Sequence, residues 1–236
     1  MAAVTHPNLA VVFGVETLRG APLLIVELLE GGTLGSRLRA APLPHLEVIA
    51  LGITLAEALE IIHSVGVLHR DIKPTNVGYS TSGVPKLLDF GLAKILDDSR
   101  TAASVLQIRY DELDEVPLTA LTELTVTRRL VGTPIYLSPE AAGGGDPSAG
   151  VDLWALAVTL FEAVTGTHPL RIQDTKGLRQ RIFEGDVAEL EDVWPESPEP
   201  LRRFFAAALA RDPDRRPQSA LELRDALVRL GEELGG

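Results

Sequence analysis

The 236-residue chain contains no cysteine, a single methionine, and only 5% aromatic residues. Without cysteine it can form neither a disulfide nor a thiolate metal site. That composition fits a reducing compartment, and a cytoplasmic location is expected. Lysine is scarce too, occurring only as Lys73, Lys86, Lys94 and Lys176. Acidic residues outnumber basic ones, 33 to 22, giving a net charge of -11. This balance argues against a nucleic-acid surface, which needs clustered Lys and Arg. It mildly favours neutral or basic polypeptide partners, although acidic solvated faces are the commoner cause of such a surplus. Long apolar runs are missing as well. The most apolar stretch, Val151 to Val164, is too short to span a bilayer and carries Asp152 and Glu162. Met1-Ala2-Ala3-Val4-Thr5-His6 has neither the basic start nor the apolar core of a signal peptide, so no membrane segment is expected.

What is present, 45% hydrophobic and 23% charged residues, suits one medium globular domain. Leu9–Val15 and Leu23–Leu28 are Val- and Leu-rich runs separated by Arg19-Gly20-Ala21-Pro22, and read as neighbouring strands joined by a turn. From Leu46 to Val65 the apolar residues Val48, Leu51, Leu55, Leu59 and Ile62 form a helical stripe, with Gly66 at its stop. Val77–Tyr79 and Pro85–Leu88 read as short strands around Thr81-Ser82-Gly83. Asp97 to Glu123 lacks periodicity and reads as a long loop. Val151–Val164 is apolar almost all round, as a helix buried on every side would be, and Gly166 and Pro169 end it. Helices are expected around Leu201–Leu209 and Ala220–Leu230, the last opened by a Ser219/Glu222 capping box. The order is a little β followed by mostly α.

Against this background stands His69-Arg70-Asp71-Ile72-Lys73-Pro74-Thr75-Asn76, followed by Asp89-Phe90-Gly91 and Ser138-Pro139-Glu140. The octapeptide resembles the catalytic loop of the protein kinases, the second motif their metal-binding Asp-Phe-Gly, and the third their Ala-Pro-Glu with Ser for Ala. Five fixed identities at set spacing arise by chance about once in ten thousand chains of this length. Two further motifs in order make coincidence untenable.

The resemblance, to bacterial-looking, eukaryotic-type (Hanks-type) serine/threonine kinases, implies ATP and Mg²⁺ as cofactors and proteins as substrates. It gives Asp71 the task of accepting or orienting the substrate hydroxyl, and Lys73 that of stabilising charge on the γ-phosphate. Asn76 and Asp89 supply the oxygen ligands that Mg²⁺ prefers. Thr133, in Gly132-Thr133-Pro134, resembles the Thr that bonds the catalytic Asp and Lys, and with Lys73 it points to Ser/Thr rather than Tyr substrates. Arg70 would gather an activation-loop phosphate. Thr125 and Thr127 stand where such kinases autophosphorylate, the other reading being plain loop threonines. His69 would pack beneath Phe90, Asp152 would hold the catalytic-loop backbone from below, and Arg216 would pair with Glu140. Val26-Glu27-Leu28-Leu29-Glu30-Gly31-Gly32 resembles the hinge. Adenine would bind the backbone of Glu27 and Leu29, and Val26 would be gatekeeper. Gly78 stands where the family has a larger residue under the adenine, so a thinner floor is expected.

The implied fold is α+β, a mainly helical C-lobe (residues 33–236, catalytic loop 69–76, activation segment 89–140) with a remnant of the β-rich N-lobe and hinge in residues 1–32. The family's Gly-rich loop, strand Lys and helix Glu should precede His6-Pro7-Asn8, and all four lysines follow the hinge. Weak nucleotide binding and little transfer are therefore expected of these residues alone, with an unpaired edge and an uncovered apolar face on the first two strands. The acidic stretch Asp111-Glu112-Leu113-Asp114-Glu115 lengthens the activation segment, as a docking element, an autoinhibitory element or a solvated excursion. The leading reading is a protein Ser/Thr kinase. The alternative is a truncated pseudokinase acting as a protein-binding module. A small-molecule phosphotransferase is disfavoured by the Lys73 spacing and by the motifs at 132–134 and 138–140, which shape a polypeptide groove in the protein kinases.

Overall fold

The computed structural model describes residues 5–18, 21–88, 134–170, 182–183 and 186–235. Strands β1 (Val12–Leu18) and β2 (Ala21–Val26) form one antiparallel pair, and β3 (Val77–Tyr79) and β4 (Pro85–Leu87) another. The helices are α1 (Leu34–Leu38), α2 (His45–Ser64), α3 (Pro139–Ala142), α4 (Ala149–Thr165), α5 (Leu190–Val193), α6 (Glu199–Ala208) and α7 (Ala220–Gly235). No described helix is long and apolar enough to cross a membrane.

Helix α4 is the centre of the helical part. Every residue from Val151 to Phe161 is buried, Asp152 and Thr159 included. It ends at Gly166, whose φ of +71° is open to glycine without strain and whose N–H returns to the Glu162 carbonyl at 2.8 Å. Helix α2 carries the stripe seen in the sequence, and Ile49, Gly52, Ala56 and Ala58 are buried beside it, so its covered face is broader than one stripe. The reason is double coverage, by α4 on one side and α7 on the other. Phe161 of α4 meets Phe205 of α6 edge to face, centroids 5.3 Å apart, closing the core below.

The first two strands are shifted relative to the sequence expectation. Val12 pairs with Val26 and Leu18 with Ala21, so Ala21 and Pro22 belong to the ladder and the turn is shorter. Leu9 and Ala10 do not join β1. Leu9 bridges Leu87, Ala10 N–H donates to the Leu87 carbonyl at 2.9 Å, and Leu87 N–H donates to the Asn8 carbonyl at 2.9 Å, laying this segment along β4. Glu27 and Leu28 have left the ladder. Val12, Phe13, Leu23 and Ile25 of this sheet are open to solvent, Phe13 at 68%, and Leu28 just beyond β2 is 82% exposed. Helices α1, α3 and α5 are too short for periodicity to reveal. The capping box at α7 is half formed. Ser219 Oγ accepts from Glu222 N–H at 3.1 Å, but the Glu222 carboxylate accepts from Gln218 N–H, one residue earlier than the motif requires.

Gly52 marks where three helices come closest. A Cβ there would lie 2.8 Å from methyl carbons of both Leu160 (α4) and Leu227 (α7). A mid-helix glycine ordinarily costs stability relative to alanine, so its presence reflects packing. Gly52→Val should lower the unfolding free energy by about 1–3 kcal/mol through overpacking, measured by urea denaturation.

Candidate active site

The catalytic-loop backbone is shaped from beneath by one carboxylate. Asp152, on the first turn of α4 and 1% exposed, accepts from His69 N–H (Oδ2, 2.8 Å) and from Arg70 N–H (Oδ1, 2.7 Å). His63 Nε2, at the end of α2, donates a third bond to Oδ2 at 2.8 Å. A buried carboxylate needs such donors to offset its lost hydration. Arg70 has φ +64°, in the left-handed region, the sole described non-glycine residue there. A non-glycine residue there costs about 1–3 kcal/mol and persists only when its surroundings hold it. The two amide bonds to Asp152 are that hold.

The bend brings three side chains together above α4. Lys73 Nζ lies 2.9 Å from both oxygens of Asp71. Asn76 Nδ2 donates to the Asp71 carbonyl and to its Oδ2, both at 2.8 Å. Lys73 and Asn76 are buried, while Asp71 keeps some exposure, with 21% of its side chain accessible. Both bonds use the Asn76 nitrogen, and its amide oxygen is the kind of atom a hard divalent cation takes. Among the described residues no cluster of three His, Asp or Glu forms a metal cage. A Mg²⁺ ion shared with nucleotide phosphates needs only one or two protein oxygens, so the residues fit that ion and do not fit a dedicated cage.

At the hinge, Glu27 N–H donates to the Val11 carbonyl at 2.8 Å. The Glu27 carboxylate accepts from Val11 N–H at 3.0 Å and from Lys86 Nζ of β4 at 2.8 Å. The Lys86 hydrogen bond first, then that of Val11, holds the Glu27 carboxyl below its usual range. Val26 ends β2, opposite Val12. The floor expected to be thin at Gly78 is not open: Leu29 and Leu88 reach into the space that a side chain at residue 78 would occupy.

A second cluster is built around α3. Ser138 caps it through Oγ, accepting from Ala141 N–H. Arg216 forms a two-pronged pair with Glu140 at 2.9 and 3.0 Å, donates to the carbonyls of Ala210 and Arg211, and stacks 4.5 Å over the Trp154 ring. Burial, the largest single influence, would raise the Glu140 carboxyl, but the hydrogen bonds from Arg216, its own backbone amide and Ser138, with the Arg216 charge, together hold it below the ordinary value. Nearby, Tyr136 OH donates to Glu162 at 2.6 Å. Burial, reinforced by the negative charges of Glu162 and Asp71, pushes the phenol far above its ordinary pKa. His168 sits edge-on to Tyr136 at 5.2 Å, and burial holds its pKa down at about 4.

Thus Asp71, Lys73, Asn76, His69, Arg70 and Asp152 form one cluster, and Glu140 and Arg216 another. Asp89, Phe90, Thr125, Thr127, Thr133 and the acidic stretch 111–115 lie outside the described residues. Sequence reasoning missed His63, Tyr136, Glu162, His168 and Lys86. Tyr136 carried a usable signal, lying between Gly132-Thr133-Pro134 and Ser138-Pro139-Glu140. His63 had none, since its partner is 89 residues away.

The family profile described as the protein kinase domain matches residues 1–226. The chain belongs to the protein kinase family. It is 30% identical over 240 residues to the probable serine/threonine-protein kinase PknB of Lactococcus lactis, a match covering 99% of this chain and 35% of that protein. Against the DNA damage-responsive serine/threonine-protein kinase RqkA of Deinococcus radiodurans, identity is 32% over 228 residues, covering 94% and 31%. Against the serine/threonine-protein kinase PknB of Mycobacterium leprae it is 29% over 234 residues, covering 97% and 34%. The chain spans about a third of the length of these relatives.

Two predictions follow from these anchors. Asp152→Asn leaves one acceptor oxygen for three donors and should cost about 2–4 kcal/mol of stability, measured by chemical denaturation. His168, neutral when folded and with a folded pKa of about 4 against the ordinary 6.5, makes the unfolded state the one that gains a proton on acidification. Its contribution is present above pH 6.5 and falls as pH drops towards 4, by up to about 3 kcal/mol. His168→Gln should flatten stability over that interval.

Proposed function

We propose that the chain carries the catalytic half of a protein serine/threonine kinase, transferring the γ-phosphoryl group of ATP to Ser or Thr hydroxyls of proteins. The observation that supports this best is the Asp71 carboxylate held between Lys73 Nζ at 2.9 Å and Asn76 Nδ2 at 2.8 Å. Phosphoryl transfer asks a protein for positioning and charge neutralisation, and this arrangement supplies both. Asp71 accepts the proton of the substrate hydroxyl as its oxygen attacks the γ-phosphorus and the bond to the β-phosphate oxygen breaks. Lys73, within reach of the same carboxylate, stabilises the negative charge on the transferring group. Asn76 and Asp89 would hold Mg²⁺, which neutralises phosphate charge when bound. Val26, Glu27 and Leu29 line the base site, Thr133 steadies Asp71 and Lys73, and Arg70 receives a phosphate placed on Thr125 or Thr127. His69 packs beneath Phe90 in this reading.

The division into an N-lobe remnant and hinge over 1–32 and a C-lobe over 33–236 belongs to the same proposal. The 236 residues hold no Gly-rich loop and no lysine before the hinge, so by themselves they should bind nucleotide weakly and turn over slowly. A turnover number in the range of about 1–100 per second typical of kinases would overturn that part. The pseudokinase reading draws on the exposed apolar side chains of the first sheet.

Asp71→Asn separates the two. A kinase should lose phosphate transfer to a protein substrate by roughly 100-fold or more, with its thermal unfolding unchanged, as followed by radiolabelled ATP incorporation. A binding module would behave like the parent chain.

A further inference from the structure

Helix α6 and the segment leading into α5 enclose a cavity of about 680 Å³, the size of a recognition site rather than of a packing flaw. None of the described residues lining it belongs to the catalytic loop or to α3. One wall runs from Asp186 to Asp192. Ala188 and Leu190 are buried there, while Asp186, Glu189 and Glu191 stay exposed. The wall is tied down through its backbone. Ala188 N–H donates to the Pro169 carbonyl at 2.8 Å, and Glu189 N–H donates to the Asp192 carboxylate at 3.2 Å. Those two amides are spent, so what the wall offers a partner at these positions is its side chains.

The facing wall is α6. Ala206 lies exposed on it, one turn beyond Arg202 and Arg203 and beside the buried Phe205 and Leu209. A residue so small keeps the floor apolar and the space over it open. The two arginines are engaged within the protein. Arg202 pairs with Glu191 at 3.0 Å and with Glu199 at 3.3 Å, and Arg203 pairs with Glu233 at 2.9 Å. Among the described residues, five acidic and three basic side chains line the cavity, so the lining carries a negative surplus.

We propose that this cavity docks a basic, extended segment of a partner protein, with arginine or lysine stems lying over Ala206 and their cationic ends at Asp186 and Glu189. Such side chains match the lining twice, since an aliphatic stem covers apolar floor while the charged head stays at the wet rim. A compact cation would fit less well, because the acidic wall extends over several residues with an apolar floor beside it. The charge surplus would also steer a basic segment towards the site before contact. The inference goes beyond the phosphoryl-transfer reading and does not rest on it, since docking here needs neither nucleotide nor Asp71.

The test is fluorescence anisotropy of a labelled peptide alternating arginine with alanine, titrated with the 236-residue chain. A glutamate–alanine peptide of equal length and free spermidine serve as comparisons. The basic peptide should bind and the acidic one should not. Raising the ionic strength from about 0.01 M to about 1 M shortens the Debye length from about 30 Å to about 3 Å, and should weaken the complex at least roughly tenfold. Asp186→Lys combined with Glu189→Lys should weaken binding roughly tenfold. Ala206→Phe, which fills the floor and keeps every charge, should weaken it roughly fivefold. Thermal unfolding is recorded for each variant. Glu189 also caps α5, so Ala206→Phe, at an exposed position, keeps the test decisive if the charge variant fails to fold. No binding of the basic peptide, equal binding of the acidic one, or a complex indifferent to salt overturns the inference. So does displacement by spermidine as effective as by unlabelled basic peptide, or an Ala206→Phe variant that binds like the parent. None of these outcomes bears on phosphate transfer, which Asp71→Asn tests separately.

Discussion

The three hydrogen bonds accepted by Asp152 are the constraint from which the site follows. The carboxylate rides on α4, buried without a break from Val151 to Phe161, so its position is set by the core. From there it draws in two consecutive amides of the catalytic loop and the imidazole at the end of α2. That grip supports the left-handed conformation of Arg70 and so fixes where the next residue, Asp71, emerges. Lys73 and Asn76 then close on Asp71 from within the same short loop. Asp71 keeps some exposure while Lys73 and Asn76 are buried, and the geometry that orders all three is stored in the interior.

Much of the helical fold could be read from the sequence because its helices are long enough to show period. The stripe of α2 and the all-round apolarity of α4 both announce themselves, and Gly66 and Gly166 mark their ends. The strands were harder. Leu9 looks like a strand residue but makes only an isolated bridge, and its partner is Leu87 rather than a neighbour in β2. Periodicity reports that a residue is covered and says nothing of what covers it. The short helices α1, α3 and α5 hold too few residues for any period to appear.

The site divides along the same line. His69, Arg70, Asp71, Lys73 and Asn76 lie within eight residues, so spacing alone carries their arrangement. The residues that support them come from afar: Asp152 lies 83 residues beyond His69, and Arg216 lies 76 beyond Glu140. Only the resemblance to a known family could join those positions in advance. Tyr136, Glu162 and His168 escaped even that, because what distinguishes them is a shared desolvated setting. Burial raises the Glu162 carboxyl and lowers the His168 imidazole, and no string of letters records burial. Leu29 belongs with them, since its reach over Gly78 is visible only in three dimensions.

The distance along the chain between the loop and its anchor sets an order of events during synthesis. A ribosome would release residues 69–76 before Asp152 has been made, and α7, which covers α2, emerges later still. Domains form as units while contacts of large sequence separation wait for both partners. A nascent chain carrying the loop but not yet α4 has nothing to hold Arg70 in its strained conformation. In such a chain the emergence of Asp71 from the loop is not yet fixed, and it becomes so only once α4 is in place. The anchor therefore makes the shape of an early segment wait on the synthesis of a much later one.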